Sequence, residues 1–223
     1  MPSHKDLKAR QRAERATHSE SVALRVHRAL SWLDRAEREN TDPDARFVFL
    51  WIAFNAAYAT EIHDPDMTEK RSFQKFLRNL LQLDTQGRIG KLVWTEFSGS
   101  VRVLLTNPYV FADYWRHLGG QISADEWEAR FKTSRRAAER ALASGDTLVV
   151  LGVVLARLYV LRNQLIHGGA TWNSRVNRTQ VRDCASFLAK LVPVVIEILL
   201  DHPAQDWGAA TYPVVDVSGG QKS

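Results

Sequence analysis

The chain has 223 residues, 45% hydrophobic and 25% charged, an ordinary balance for a soluble domain with a core of its own. A single cysteine, Cys184, excludes an internal disulfide framework and any cysteine-based zinc site. The formal charge of +5 permits a polyanionic partner without demanding one.

Residues 1–16 are strongly polar, with Lys5, Lys8, Arg10, Arg12 and Arg15, and read as a basic, loosely held arm and not as a signal peptide. The longest apolar run, 148–156, falls short of the roughly 20 residues that cross a bilayer. A cytoplasmic protein without membrane attachment is expected.

Helix follows helix along the chain. Thr17-His18-Ser19-Glu20 has the form of a capping box, after which Val22, Val26, Leu30 and Leu33 recur at helical spacing. Asp42 and Pro43 supply a cap and a first-turn proline for an apolar helix over 44–62, which Asp64-Pro65 closes. Asp66 opens a third helix to about 83, a fourth runs from about 88 to 105, and Asn107-Pro108 starts a short aromatic fifth. Ser123 and Glu126 form a second capping box, for a helix that stops at Ser144-Gly145. Asp146 then caps a very apolar helix ending near Ile166. After a turn over 167–172, the last helix carries Val181, Cys184, Leu188, Leu191, Val195 and Ile198 on one stripe. Pro193 lies inside it and should kink it, because proline has no N–H to bond Ala189.

No segment alternates as a strand, so the fold class is all-α. The helical domain spans 17–202, with a four-helix core from 18–39, 44–62, 147–166 and 177–201. Residues 66–144 form an insertion of extra helices, and 203–223 a weakly held tail. The helix over 148–161, apolar nearly all round, is expected at the centre.

The far end of that helix reads Arg162-Asn163-Gln164-Leu165-Ile166-His167, followed by Gly168-Gly169. An arginine, an amide and an imidazole on a stiff element suit RNA cleavage without a metal. A neutral imidazole accepts the proton of a ribose 2′-hydroxyl, and a protonated one returns a proton to the departing 5′-oxygen. The fork of arginine donors matches the charge that builds on the phosphorus oxygens. Asn163 shares a helix face with His167 and is placed to orient it or the phosphate. The two glycines allow a left-handed turn that ends the helix, leaving His167 near the negative end of its dipole. Residues five apart point about 140° away from each other, so Arg162 and His167 converge only if the helix unwinds or a second protomer completes the site. The same residue types also serve as plain caps on the last helix carbonyls. The spacing by itself is cheap, and occurs a second time at Arg12 and His18.

In these residues the chain resembles the HEPN superfamily of helical-bundle proteins. Arg162-Asn163-Gln164-Leu165-Ile166-His167 fits that family's Arg-x4-6-His motif, with the usual polar residue after the arginine. Phe49-Leu50-Trp51-Ile52-Ala53-Phe54-Asn55-Ala56-Ala57-Tyr58 is similar to the second core helix of its Apea-like branch. The resemblance covers 44–62 and 147–201. It implies an HEPN-like four-helix bundle acting as a metal-independent endoribonuclease that needs no cofactor. Arg162 and His167 would be catalytic and Asn163 supportive, in a homodimer whose two motifs face each other. Members include toxins of toxin–antitoxin pairs and antiviral effectors, so an antitoxin or nucleotidyltransferase partner belongs to the expectation. Some members keep the bundle and lose catalysis, leaving a helical module that binds nucleotide, nucleic acid or a partner protein.

Other residues carry weaker signals. Asn55 sits in an otherwise apolar helix, as a substrate contact or as a buried amide bonded to its surroundings. Arg157 interrupts the apolar helix, as a second phosphate contact or as half of an ion pair with a carboxylate such as Asp34 or Glu61. The stretch 127–140, with Lys132, Arg135, Arg136 and Arg140, is an RNA backbone track or simply a solvated face. The seven tryptophans read as packing residues and not as a base-stacking platform, and the histidines show no spacing suited to a metal.

Overall fold

A computed structural model describes residues 2–59, 68–175 and 177–212. Among these the chain is all-α, with α1 (His4–Glu14), α2 (Glu20–Arg38), α3 (Pro43–Tyr58), α4 (Glu69–Leu83), α5 (Arg88–Lys91), α6 (Ser98–Thr106), α7 (Ala112–Leu118), α8 (Ala124–Ser144), α9 (Thr147–Ile166) and α10 (Arg178–Asp201).

Most helices begin where a short polar side chain satisfies their free N–H groups. Asp42 accepts from Asp44 and Ala45 ahead of α3, with Pro43 in its first turn. Ser123 accepts from Glu126 ahead of α8, and Asp146 from Val149 ahead of α9. In the 17–20 segment the cap is Ser19, accepting from Val22 at 3.3 Å, so α2 starts two residues later than a Thr17 cap would place it. Thr68 caps α4; the expected stop at Asp64-Pro65 and start at Asp66 lie outside the described residues. The single helix predicted over 88–105 is interrupted by a π-helical turn, Leu92–Glu96, where the Phe97 N–H reaches back to the Leu92 carbonyl at 2.9 Å. That wider turn lets Trp94 donate to Thr147 at 2.8 Å and sets the Phe97 ring edge-on to Phe187. The sequence registers only the period on either side of the break.

α2, α3 and α10 pack together as the inner unit, with α1 laid across α2 and α10. Ala29, Leu30 and Leu33 of α2 meet Phe47, Leu50 and Phe54 of α3 and Leu188, Leu191 and Val195 of α10, all buried. α10 runs unbroken through Pro193. α9 leans on α3 and is flanked by α4, α6 and α8, so the inserted helices build a second wall of the core. Contrary to expectation, α10 and not α9 is the most enclosed helix: Val149, Tyr159 and Ile166 of α9 remain 40%, 49% and 47% exposed. At 20 residues and a mean hydropathy of 1.6, α9 has the length and composition of a membrane span. Arg157 midway along it and neighbours on several sides fit a core helix with one face uncovered.

Both ends of the chain depart from their expected looseness. Residues 4–14 form α1, opened by a reciprocal Ser3–Asp6 capping box, and Leu7 and Gln11, one turn apart, are buried on the bundle. Arg10 pairs with Asp201 at 2.8 Å. At the other end Trp207 is buried edge-on against Phe76. The guanidinium of Arg25, itself fully buried, donates to the carbonyls of Ala57, Ala59, Trp207, Gly208 and Ala209, strapping 207–209 onto α2 and α3. Burial pushes its pKa down to about 10, which the charge of Asp206 partly offsets. Residues 213–223 of the expected tail lie outside the described residues.

Because the strap is seated by an aromatic side chain in the core, Trp207→Ala should cost about 3–5 kcal/mol of stability in urea unfolding. A loss below about 0.5 kcal/mol, as for an exposed substitution, would mean that the tail is not docked.

Candidate active site

The Asp146 cap and an uninterrupted α9 deliver the predicted motif as one rigid block. Arg162 is half-buried and donates through Nη1 to Asn163 Oδ1 at 2.9 Å, while its Nε is buried without a partner. His167 is exposed and closes the helix, its N–H still bonded to the Asn163 carbonyl at 3.0 Å. Gly168 then turns the chain left-handed at φ +69°, as only glycine does without strain. A Cβ on Gly169 would sit 3.4 Å from the Gln164 carbonyl oxygen, at the edge of ordinary contact, so it is Gly168 whose conformation requires glycine. Neither the Arg162 nor the His167 side chain bonds a carbonyl of α9, so the plain capping role is not what they perform. The helix does not unwind ahead of His167. At 3.6 residues per turn Arg162 and His167 of one chain therefore diverge by about 140°.

The turn that follows is tied to the start of α3. Arg178 meets both oxygens of the buried Asp44 at 2.8 Å, and the Asn173 N–H donates to Asp44 Oδ2 at 2.8 Å. The Trp172 indole donates to Asp42 Oδ2, also at 2.8 Å. Burial alone would raise the Asp42 carboxyl, but the donors of Trp172, Ala45 and Asp44 and the charge of Arg178 hold it below the usual carboxylate range. On the other flank Gln164 donates to the Tyr109 carbonyl at 2.6 Å and accepts from Asn177 at 3.3 Å, and Asn107 reaches Asn177 at 3.4 Å. A groove of about 560 Å³ opens there beside Asn107, Tyr109, Asn177 and Gln180. Asn173 and Asn177 carry the turn's other left-handed positions, φ 55° and 59°, which asparagine tolerates. None of these supports has a local signal, since the partners lie about 13 to 134 positions apart.

Of the other predicted site residues, Asn55 is half-buried on α3, one turn after Trp51, whose ring lies 6.1 Å from that of Tyr159 on α9. Arg157 is 4% exposed, stacked 4.5 Å over Phe111 and 5.7 Å from Phe131, and donates to Ser134 at 3.1 Å. Burial pushes its pKa down to about 10. It is neither phosphate-facing nor paired with Asp34, which instead meets His4 and Arg38; Glu61 lies outside the described residues. Aromatic faces, invisible in the spacing, hold this cation in place of a carboxylate.

The outward face of α9 forms an apolar strip, Val149, Ala156, Tyr159 and Ile166, that ends at Asn163 and His167. On α8, Trp127 and Phe131 turn inward to Tyr114 and Phe111, while Lys132, Arg136 and Arg140 lie opposite the buried Ala138 and Ala141. Arg12 and His18 are separated by the end of α1 and the turn Arg15–Thr17, with no shared element. Among the described residues no group of three His, Cys, Asp or Glu side chains is placed to hold a metal ion. Comparison with family models, with curated proteins and with solved structures gave no match to this chain.

If the Asp44–Arg178 contact holds the turn, Asp44→Ala should lower stability by about 1.5–3 kcal/mol, the range for hydrogen bonds to charged groups. Amide exchange over 168–175 should accelerate more than elsewhere. Unchanged exchange there would show that the turn is held by other means.

Proposed function

We propose that this protein is an endoribonuclease that cuts RNA without a metal, its active unit a homodimer in which the ends of two α9 helices meet around one phosphate. The observation that carries this reading is the end of α9. Arg162 and Asn163 are joined, the His167 side chain is exposed one turn on, and His167 closes the helix through its backbone N–H and not through its imidazole. The likeness of these six residues to the HEPN motif agrees with it.

In the reaction, an imidazole accepts the proton of a 2′-hydroxyl as the oxygen attacks the adjacent phosphorus. The O2′–P bond forms, the P–O5′ bond breaks, and a protonated imidazole supplies the proton to the 5′-oxygen. The products are a 2′,3′-cyclic phosphate and a 5′-hydroxyl, with no net proton consumed. The Arg162 guanidinium meets the charge on the non-bridging oxygens, and Asn163, which holds Nη1, sets its direction. Since one chain keeps Arg162 and His167 apart, the base and the acid come from two histidines across a two-fold axis. The uncovered strip on α9 is the surface such a contact would bury. An RNA substrate places the protein in the cytoplasm, as a toxin or defence effector held in check by an antitoxin or nucleotidyltransferase partner.

His167→Ala and Arg162→Ala should each lower cleavage of single-stranded RNA by about 10²-fold or more, with the helical circular dichroism unchanged. Wild-type cleavage should persist in EDTA and leave cyclic phosphate ends. A folded His167→Ala protein that cuts at the wild-type rate would remove the site assignment. A wild type that binds RNA and never cuts it would identify a non-catalytic binding module.

Light scattering at micromolar concentration should give twice the 25.3 kDa chain mass. Tyr159→Glu, which puts a charge into the strip, should yield inactive monomers. Mixing wild-type chains with an excess of His167→Ala chains should suppress activity as subunits exchange, because a heterodimer holds one imidazole where the reaction uses two. Full activity in a protein that stays monomeric would overturn the dimer.

A further inference from the structure

We infer that Trp172 is a base-stacking residue, holding an unpaired RNA nucleobase beside the phosphate that Arg162 and His167 handle; this deepens the ribonuclease reading and rests on it. Trp172 is 74% exposed, whereas Trp51 and Trp207 are each 5% exposed. A large indole in water forgoes the burial that normally justifies it. A loose exposed ring would be unremarkable, but this one is fixed. Its Nε1 donates to Asp42 at 2.8 Å, and Asp42 is itself held by the Asp44 and Ala45 N–H groups at 2.9 and 3.1 Å. The next residue's N–H is pinned on Asp44 at 2.8 Å.

Among the described residues no ring or cation lies over Trp172, and most of its surface meets solvent. It lies five positions after His167, and a chain of that length spans at most about 18 Å. The ring therefore stands within reach of the bases flanking the phosphate. Arg175, exposed three residues on and without an ion-pair partner among the described residues, adds positive charge for the adjoining backbone. Because Asp42 occupies the indole N–H, the ring offers only its faces. Every base has a face to stack, so the platform is sequence-tolerant. A nucleobase fits better than a protein partner because the feature is one immobilised ring beside the motif, with small polar neighbours in Thr171, Asn173 and Ser174.

The test is titration with a single-stranded 2′-O-methyl oligonucleotide, which cannot be cut, followed by tryptophan fluorescence and by anisotropy of a label. Wild type should bind with quenching. Trp172→Ala should bind roughly 5- to 100-fold more weakly. Trp172→Phe should keep most of the affinity and lose most of the quench. An oligonucleotide with abasic positions should bind wild type more weakly and Trp172→Ala no differently. In parallel RNA cleavage, Trp172→Ala should raise KM and leave kcat nearly unchanged. Equal binding by wild type and Trp172→Ala, no binding by wild type, or an effect of Trp172→Ala confined to dimer dissociation would each overturn the inference. Trp172-dependent quenching in a protein that never cuts RNA would sink the ribonuclease reading and leave the platform standing. Cleavage with an unchanged KM in Trp172→Ala would do the reverse.

Discussion

Two carboxylates at the start of α3 hold the functional end of the molecule together. Asp42 and Asp44 lie two positions apart, and each does two things at once. Asp42 caps α3 and fixes the Trp172 indole, while Asp44 receives Arg178 and the Asn173 N–H. A helix start collects partial positive charge, so acidic residues are favoured there even before they find partners. Here that preference is extended across the bundle. The contacts of Asp42 with Trp172 and of Asp44 with Asn173 put the beginning of α3 beside the turn leaving α9, so the residues that start α3 also clamp that turn. Without that clamp the segment after His167 would be an open loop between two helices, and its ordering would have to come from its own short polar side chains.

The helix that presents the motif has unlike sides. One flank rests on α3, where the half-exposed Tyr159 ring lies tilted against Trp51, and the other is keyed to the inserted segment through Gln164 and the Tyr109 carbonyl. The third side is apolar and uncovered. In the proposed dimer the buried flanks would hold the motif in place, and the uncovered side would meet the second copy. The insertion thereby acquires a role beyond bulk: α6 and α8 wall one side of α9, and the segment around Asn107 and Tyr109 sets the far edge of the site.

Two arginines in the interior show how differently a buried guanidinium is accommodated. Arg25 is surrounded by carbonyl oxygens, which satisfy its donors and fasten a distant strand of chain. Arg157 meets two aromatic faces and one hydroxyl, and its Nε stays unbonded. In each, burial disfavours the charged form, and the pKa falls to about 10. The first organises the C-terminal strap. The second joins α8 to α9, five positions before Arg162 and out of reach of any phosphate at the helix end.

Caps and helical periods are local, and they were legible: Asp42 with Pro43, Ser123 and Asp146 start helices where the residues say they should, and Gly168 ends α9. The motif residues were legible for the same reason, because Arg162, Asn163 and His167 are neighbours on one element. What failed was whatever depends on partners far along the chain. The docking of α1 rests on Leu7, Gln11 and the pairing of Arg10 with Asp201, the tail on Trp207 and an arginine on α2, and the clamp on residues more than 125 positions apart. A period of 3.6 tells which face of a helix is apolar and cannot tell what covers it, which is why α9 read as the centre and proved half uncovered. The sequence by itself determined an all-helical chain and which side chains stand together at the end of one helix. Only the tertiary structure decided which faces are buried, what surrounds Arg157, and that Trp172 stands fixed in solvent, because burial and long-range hydrogen bonds exist only once distant segments meet.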